Sequence, residues 1–473
     1  MSSGIILFSV VGHEVSLFSA FLCFSWIIYL WETYLDIRQR RKISSTLAVP
    51  EALSSSIDHI GFMKAKSYTL DKNGFGLVKG LYNQLESTAI LYYSIIPRVW
   101  YSVQQHSIVI NSYVHTKTGI DIGLNPNSEI KCSLLFVFYL TIFTFFDSLP
   151  WSLYMNFVIE ARHGFNKQTL GFFFKDRIKS FLISSLIGYP VISVLIWIIK
   201  VGGPHFYLYA YMFLLTVTVF MMFIYPEFIA PLFDRYAPLP SGPLREKIEA
   251  LASAIEFPLK KLLVVEGSKR SAHSNAYFYG FGKNKRIVLY DTLIKDFTFP
   301  GSSKTDEDSE KKEASKGCSV DEEVVAVLAH ELGHWKCWHT VVNLLIGQAN
   351  LFLMFVTFSS LMNYEEIFVS FGFHDGAPVL LKLLVIFQFI FSPYNTVLDF
   401  LMTVLSRKLE FQADGFAVGL KYGNYLRSAL IILHKDNLSF PVSDWLYSMC
   451  NYSHPPLLER LAAIDELLLK KTE

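Results

Sequence analysis

The 473 residues carry 42 Lys and Arg against 41 Asp and Glu, a net charge of +1, with 52% hydrophobic, 16% aromatic and only 18% charged residues. A soluble chain carries roughly 25% charged residues, so this much apolar surface excludes intrinsic disorder and argues for a polytopic membrane protein. The basic residues are scattered, which excludes a nucleic-acid partner.

Met1 to Gly12 has no basic stretch and no cleavage site, so no cleaved signal peptide is expected and the N-terminus is retained. A span needs about 20 mostly apolar residues. Seven stretches approach this: Val15–Trp31, Thr88–Val103, Ser133–Phe157, Ser180–Ile199, Phe206–Ile224, Val341–Met362 and Val379–Leu405. The second is the weakest, interrupted by Pro97 and Arg98. Lys and Arg crowd the loops after spans one and three, as in Arg38–Lys42 and Lys175–Lys179, and thin out in the alternate loops. The positive-inside rule then puts the N-terminus outside and the C-terminus in the cytosol. Arg98, Asp147 and Asp399 lie within spans, where ionisable groups face partners or water. Pro150, Pro190 and Pro393 read as kinks.

Between spans five and six, Tyr225–Thr340 is long and less apolar. A helical pattern covers Leu244–Ile255, strand-like runs cover Lys261–Val265 and Arg286–Tyr290, and Gly301–Gly317 is polar and reads as an unstructured loop. The chain thus divides into residues 1–224 with five spans, 225–340 as a cytosolic subdomain, 341–405 with two spans, and 406–473 as a C-terminal helical segment. The five cysteines are far apart and lack CxxC spacing, which fits free thiols.

Ser319 and Glu322 form a capping-box pattern ahead of a helix that runs into His330-Glu331-Leu332-Gly333-His334. Residues i and i+4 share a helix face, so both imidazoles can reach one ion, with Glu331 beside them as general base. A bland helix with two satisfied histidines would read the same. Zinc needs a third protein ligand. Glu410 in Glu410-Phe-Gln-Ala-Asp414 offers a carboxylate, and Asp414 one turn later could hold a ligating imidazole in its tautomer. Two spans separate His334 from Glu410, so the chain returns to the side it left. His339, rotated roughly 140° from His334 at 100° per residue, is expected in solvent.

HELGHW (His330–Trp335), Ser406–Asp414, Ser274–Gly280, Lys285–Val288, Arg162–Gln168 and Tyr452–Pro456 together resemble the type I CAAX prenyl proteases, integral-membrane zinc metalloproteases, over nearly the whole chain. The resemblance implies about seven transmembrane helices ringing a water-filled chamber, an otherwise all-α architecture closed on the cytosolic side by a small α+β gluzincin-type protease domain. It implies one Zn2+ held by His330, His334 and Glu410, with Glu331 as base and Asp414 behind the ligands. His454 and Arg460 would face the reaction centre, and the substrate backbone would lie along Asn275, Ala276 and Tyr277. The implied reaction removes the C-terminal tripeptide of farnesylated or geranylgeranylated CAAX proteins at the membrane lipid boundary. Lys470 and Lys471 near the C-terminus resemble a dilysine signal for the endoplasmic reticulum membrane, with the inner nuclear membrane as a second address. Three other readings compete: a quality-control protease of the same zinc class, a site-2-type intramembrane protease, and an inert membrane scaffold. Asp321, Glu322 and Glu323 ahead of the motif disfavour the second, and Glu331 disfavours the third.

Overall fold

The computed structural model describes residues 6–470 apart from 11–12, 274, 281, 296, 298 and 300–315. The polar loop expected at Gly301–Gly317 therefore lies outside the described residues except for its last two, as does Lys471 of the dilysine pair.

A short hairpin, β1 (Ile6–Val10) and β2 (His13–Ser16), precedes α1 (Leu17–Ser45), whose N-terminus is capped by the Ser16 side chain. Then come α2 (His59–Tyr92), α3 (Ile95–Thr118), α4 (Glu129–Tyr154) with a π-helical turn at Met155–Glu160, α5 (Leu170–Val201) and α6 (Phe206–Ile224). A further π turn and α7 (Ala230–Phe233) lead to β3 (Tyr236–Pro238), α8 (Pro243–Ala254), β4 (Leu259–Val265), β5 (Ala276–Tyr279) and β6 (Lys285–Tyr290). The helices α9 (Asp321–Lys336), α10 (His339–Leu361), α11 (Glu365–Ser370), α12 (Val379–Leu384) and α13 (Ser392–Gly419) follow. The chain closes with α14 (Gly423–Asp436), α15 (Trp445–Asn451) and α16 (Leu457–Leu469).

Among the described residues five helices are long and apolar enough to cross a bilayer: Leu17–Ser45, Glu129–Glu160, Leu170–Val201, Gly203–Phe233 and His339–Leu361. The pair Val379–Ile390 and Ser392–Gly419 is together long and apolar enough for one more crossing and bends by 59° at the break, the geometry of a broken span or a re-entrant loop. Pro393 sits in the first turn of α13 at that bend, where a missing N–H costs least. The stretch Thr88–Val103 differs from a single span. It straddles the end of α2 and the start of α3, with Ser94 between them in a left-handed conformation (φ 49°). Both flanking helices are long but mix polar residues into their length, so neither is apolar enough to cross a bilayer alone. Within the spans, Asp147 accepts a 2.5 Å hydrogen bond from Tyr82, in keeping with the expectation that intramembrane charge finds a partner.

The soluble part is a four-stranded sheet of order β3-β4-β6-β5. β4 and β6 are parallel, and β3 and β5 run antiparallel to their neighbours, leaving β5 as an edge. β3 is short and ends in Pro238, so its period-2 pattern was too brief to read. The sheet packs through Leu262, Val264, Ile287 and Leu289 against α8 and α9, whose Val324, Val325 and Leu328 are all buried in the same core. Such a core, formed between α8 Ile248 and α9, fixes the helix that carries the HExxH residues. Its N-terminus is closed by Glu323, not Glu322. The Glu323 carboxylate accepts from the N–H groups of Ser319 (2.7 Å) and Val320 (3.3 Å), while Glu322 pairs with Lys247 at 2.7 Å. Val320 stands one residue later than the expected cap, so the reaching residue shifts by one as well.

The β5–β6 turn depends on Gly280, at φ 109°, where a Cβ would come within 2.2 Å of the Asn284 carbonyl oxygen. Gly280→Ala is expected to cost about 1–3 kcal/mol, seen as a lower thermal midpoint in detergent; an unchanged midpoint would mean that the turn tolerates a side chain.

Candidate metal centre

One turn of α9 presents His330 and His334 to α13, which carries Glu410. The two helices meet at Gly333, where a Cβ would lie 3.1 Å from the Ala413 Cα and 3.2 Å from its carbonyl oxygen. With no side chain there, α13 comes close enough to bring Glu410 over both rings. The Nε2 atoms of His330 and His334 are 3.3 Å apart. Glu410 Oε1 lies 3.3 Å from His334 Nε2, and its Oε2 lies 3.5 Å from His330 Nε2. One donor atom from each of the three residues lies within 4.8 Å of the other two, close enough for all three to hold one metal ion. Glu410 Oε2 is buried and lacks a well-formed hydrogen bond, although the His454 Nδ1 lies 3.0 Å away. An acceptor left without a donor in the interior is costly, and a cation would satisfy it.

Behind the rings lie two polar chains. In the first, Asp414, fully buried, stands 2.9 Å from His330 Nδ1 and accepts from Arg460 through Nε (2.9 Å) and Nη2 (2.6 Å). Arg460 also lies 3.7 Å from Glu410. Burial works against the charged ring of His330, yet the carboxylates of Asp414 and Glu410 outweigh it and push its pKa up to about 9. Burial likewise opposes the Arg460 cation, and Asp414 overrides it. Glu331, half-buried beside the ligands, is raised above the ordinary carboxylate range, chiefly by desolvation.

The second chain corrects an expectation. His339 is buried, only 3% exposed, not solvated. Trp338 takes a left-handed conformation (φ 63°) at the break between α9 and α10. The 100° step per residue does not hold through that break, and the ring turns back onto His334. Its Nδ1 lies 2.9 Å from His334 Nδ1, and its Nε2 lies 3.0 Å from Gln412 Oε1. Gln412 was missed in the sequence, because i and i+2 on a helix do not share a face and its placement after Glu410 gave no signal of this contact.

The remaining expected residues divide. His454 reaches Glu410 but is itself 68% exposed at the mouth of the site. Asn275 and Ala276 open the edge strand β5; the Asn275 carbonyl accepts from Tyr290 N–H at 3.0 Å, and its side chain accepts from Ala276 N–H at 2.8 Å. Tyr277 lines a cavity of about 1180 Å³ that also touches Glu331 and His334, Tyr225 near the end of α6, and the first turns of α10.

Two imidazoles and a glutamate on the HExxH helix, joined by the Glu410 carboxylate of α13 and set against a bundle of apolar helices, define a membrane-embedded metallopeptidase. Residues 39–235 match the family model described as CAAX prenyl protease N-terminal, five membrane helices, and residues 238–468 match peptidase family M48. The chain belongs to the M48 family of CAAX prenyl proteases. It is 55% identical to the CAAX prenyl protease 1 homolog of Taenia solium, covering 97% of this chain and 98% of that one. It is 51% identical to the Homo sapiens homolog, over 96% of each chain, and 35% identical to CAAX prenyl protease 1 of Saccharomyces cerevisiae, over 95% of each. The crystal structure of S. mikatae Ste24p superimposes with a TM-score of 0.80 at 34% identity, covering 95% of this chain and 99% of that one.

If His339 holds the His334 ring by accepting from its Nδ1–H, His339→Phe should raise the rate of metal loss to a chelator about 10- to 100-fold. His339→Asn, which restores an acceptor, should recover much of that loss. Equal retention in wild type and His339→Phe would remove His339 from any role at the metal.

Proposed function

We propose that this chain is a zinc endopeptidase that removes the C-terminal tripeptide from prenylated CAAX proteins. The convergence of one donor atom each from His330, His334 and Glu410, all within 4.8 Å of one another, carries the reading. A donor set of two nitrogens and one oxygen suits zinc with an open fourth position. When bound, the zinc supplies a Lewis acid for the scissile carbonyl and lowers the pKa of water.

The protein's own groups supply the rest. Glu331, on the cavity side of the ligands, takes the proton of the attacking water and returns it to the leaving amine. Its raised pKa makes it a better base for the water proton than an ordinary carboxylate, while the acid it forms is still strong enough to give that proton up. His454, exposed at the mouth beside Glu410, is placed to donate to the developing oxyanion; such a donor is typically worth about 3 kcal/mol. Arg460 holds Asp414, and Asp414 holds the His330 ring, so this pair acts by positioning. The substrate backbone adds to the edge of β5 beside Asn275, Ala276 and Tyr277, which sets register through main-chain hydrogen bonds.

The substrate class rests on the relatives' names and on the cavity. Its lining is rich in apolar and aromatic side chains, among them Met222, Tyr225, Tyr277, Trp335, Val341 and Leu344, and it joins the catalytic glutamate to the ends of two membrane helices. An isoprenoid chain gains about 0.8 kcal/mol for each CH₂ it buries. Farnesyl and geranylgeranyl chains both fit a space of about 1180 Å³. Polar pairs between long helices of the bundle, Tyr82–Asp147, His106–Tyr139 and Tyr394–Asn350, support a water-filled chamber among them. The loop charges support a cytosolic active site and a lumenal N-terminus, and the terminal lysines support retention in the endoplasmic reticulum.

Purified protein with a farnesylated CAAX peptide tests the reading. Glu331→Gln should keep its metal while turnover falls at least about 10²- to 10⁴-fold. Turnover near wild type in that variant, or cleavage that survives zinc chelation, would overturn it.

A further inference from the structure

His454 lies in the Pro-rich turn Tyr452–Pro456, three residues past the end of α15 and outside any helix or strand. Its ring is 68% exposed and meets Glu410 at 3.0 Å. A side chain this open is placed chiefly by its backbone, and that backbone hangs from α15. We infer that Arg38 and Gln39 of α1 are positioning residues that set His454 through α15. The inference rests on the reading of His454 as the oxyanion donor.

The contacts sit at the two ends of α15. Asp444 caps its N-terminus, accepting from the N–H groups of Leu446 and Tyr447 at 3.1 Å each. Arg38 holds that cap from α1: Nε and Nη2 donate to the two carboxylate oxygens at 3.1 and 2.9 Å, the paired geometry that arginine favours. Gln39 is buried, and a buried amide needs partners in the interior. Both of its partners belong to this segment. Its Oε1 accepts from the Asp444 N–H at 2.7 Å, and its Nε2 donates to the Tyr452 hydroxyl at 3.4 Å. One side chain of α1 thus ties the residue before α15 to the residue after it, two positions short of His454. Asn451, the last residue of α15, adds a bond from Nδ2 to Glu32 Oε2 at 3.1 Å. Glu32 and Gln39 stand about 10 Å apart along α1 at 1.5 Å per residue, and α15 covers the same length in the opposite direction.

Arg407 of α13, one turn before Glu410, holds the middle of α15: its Nη1 donates to the Ser448 carbonyl at 3.2 Å and to the Ser448 hydroxyl at 3.0 Å. The helix that carries Glu410 therefore fixes the centre of α15. Its ends are fixed by α1, which is apolar enough to cross the membrane and gives no residue to the His330, His334 and Glu410 cluster. A shift at the C-terminal end of α15 moves His454 relative to the metal ligands, and misplacing a reacting group by about 1 Å can cost about 10²-fold in rate.

Kinetics of the purified full-length protein on a farnesylated CAAX peptide test the inference. Gln39→Leu, which nearly keeps the volume and removes both bonds, should lower kcat about 10- to 100-fold with KM within about twofold, because a donor to the oxyanion acts only in the transition state. In a His454→Ala background the same substitution should change kcat by less than about twofold, since residues that act through one group are not additive. Arg38→Ala should behave likewise, and Arg38→Lys, which can keep one bond to Asp444, should recover part of the loss. Tyr452→Phe deletes a single hydroxyl and makes the same comparison if Gln39→Leu does not fold; it should lower kcat severalfold, again only where His454 is present. An equal loss in both backgrounds would assign Arg38 and Gln39 to the fold alone and overturn the inference, as would wild-type turnover in a folded Gln39→Leu protein. Full turnover in His454→Ala, with Glu331→Gln still inactive, would overturn this inference and leave the peptidase reading intact.

Discussion

The structure turns on the close approach of α9 and α13 at Gly333. His330 and His334 belong to one helix and can be brought together by helical pitch alone. Glu410 is separated from them by α10, α11, α12 and much of α13, and a close contact of backbone against backbone, Gly333 to Ala413, lets its carboxylate span both rings. Any side chain at that crossing would have to push the helices apart by a few tenths of an ångström or more. A metal site tolerates little of this, because its ligand distances are fixed within about 0.2 Å. The β-sheet core anchors one helix and the membrane bundle the other, so the joint also couples the two halves of the molecule.

A donor set pulled together this tightly needs orientation from behind. His330 has Asp414, itself forked by Arg460, and His334 has His339 and then Gln412. The two chains differ in kind: one is ionic and almost fully buried, the other is a neutral relay across the α9–α10 break. Removing one partner of a buried ion pair typically costs about 3–5 kcal/mol. The Arg460–Asp414 pair therefore bears on folding as well as on the metal, whereas the His339 relay bears chiefly on ring geometry. Glu331 stands apart from both chains and faces the apolar cavity, which separates proton transfer from ligand support.

Much of this was legible in the sequence because it repeats at a short period. The HExxH spacing, the acidic pair at Glu410 and Asp414, the strands around Val264 and Val288, and six of the seven apolar stretches each follow from residues within one or two turns. What escaped was set by breaks in that periodicity. Trp338 in a left-handed conformation reverses the direction of His339, so a constant angular step sent it to solvent. Ser94 divides one apparent span between two helices, because local hydropathy does not record a break that two adjacent residues introduce. The cap moved from Glu322 to Glu323 because Val320, without an oxygen of its own, starts the helix one residue after Ser319. Gln412 was invisible for a different reason. Its partner lies 73 residues away in the sequence.

Zinc K-edge X-ray absorption on the purified full-length protein examines the site most directly. A single zinc per chain is expected, with a first shell of nitrogen and oxygen alone at about 2.0–2.1 Å and the outer-shell scattering of two imidazoles. A sulfur shell near about 2.3 Å, or a spectrum with one imidazole or none, would contradict the assembly of His330, His334 and Glu410 around one ion.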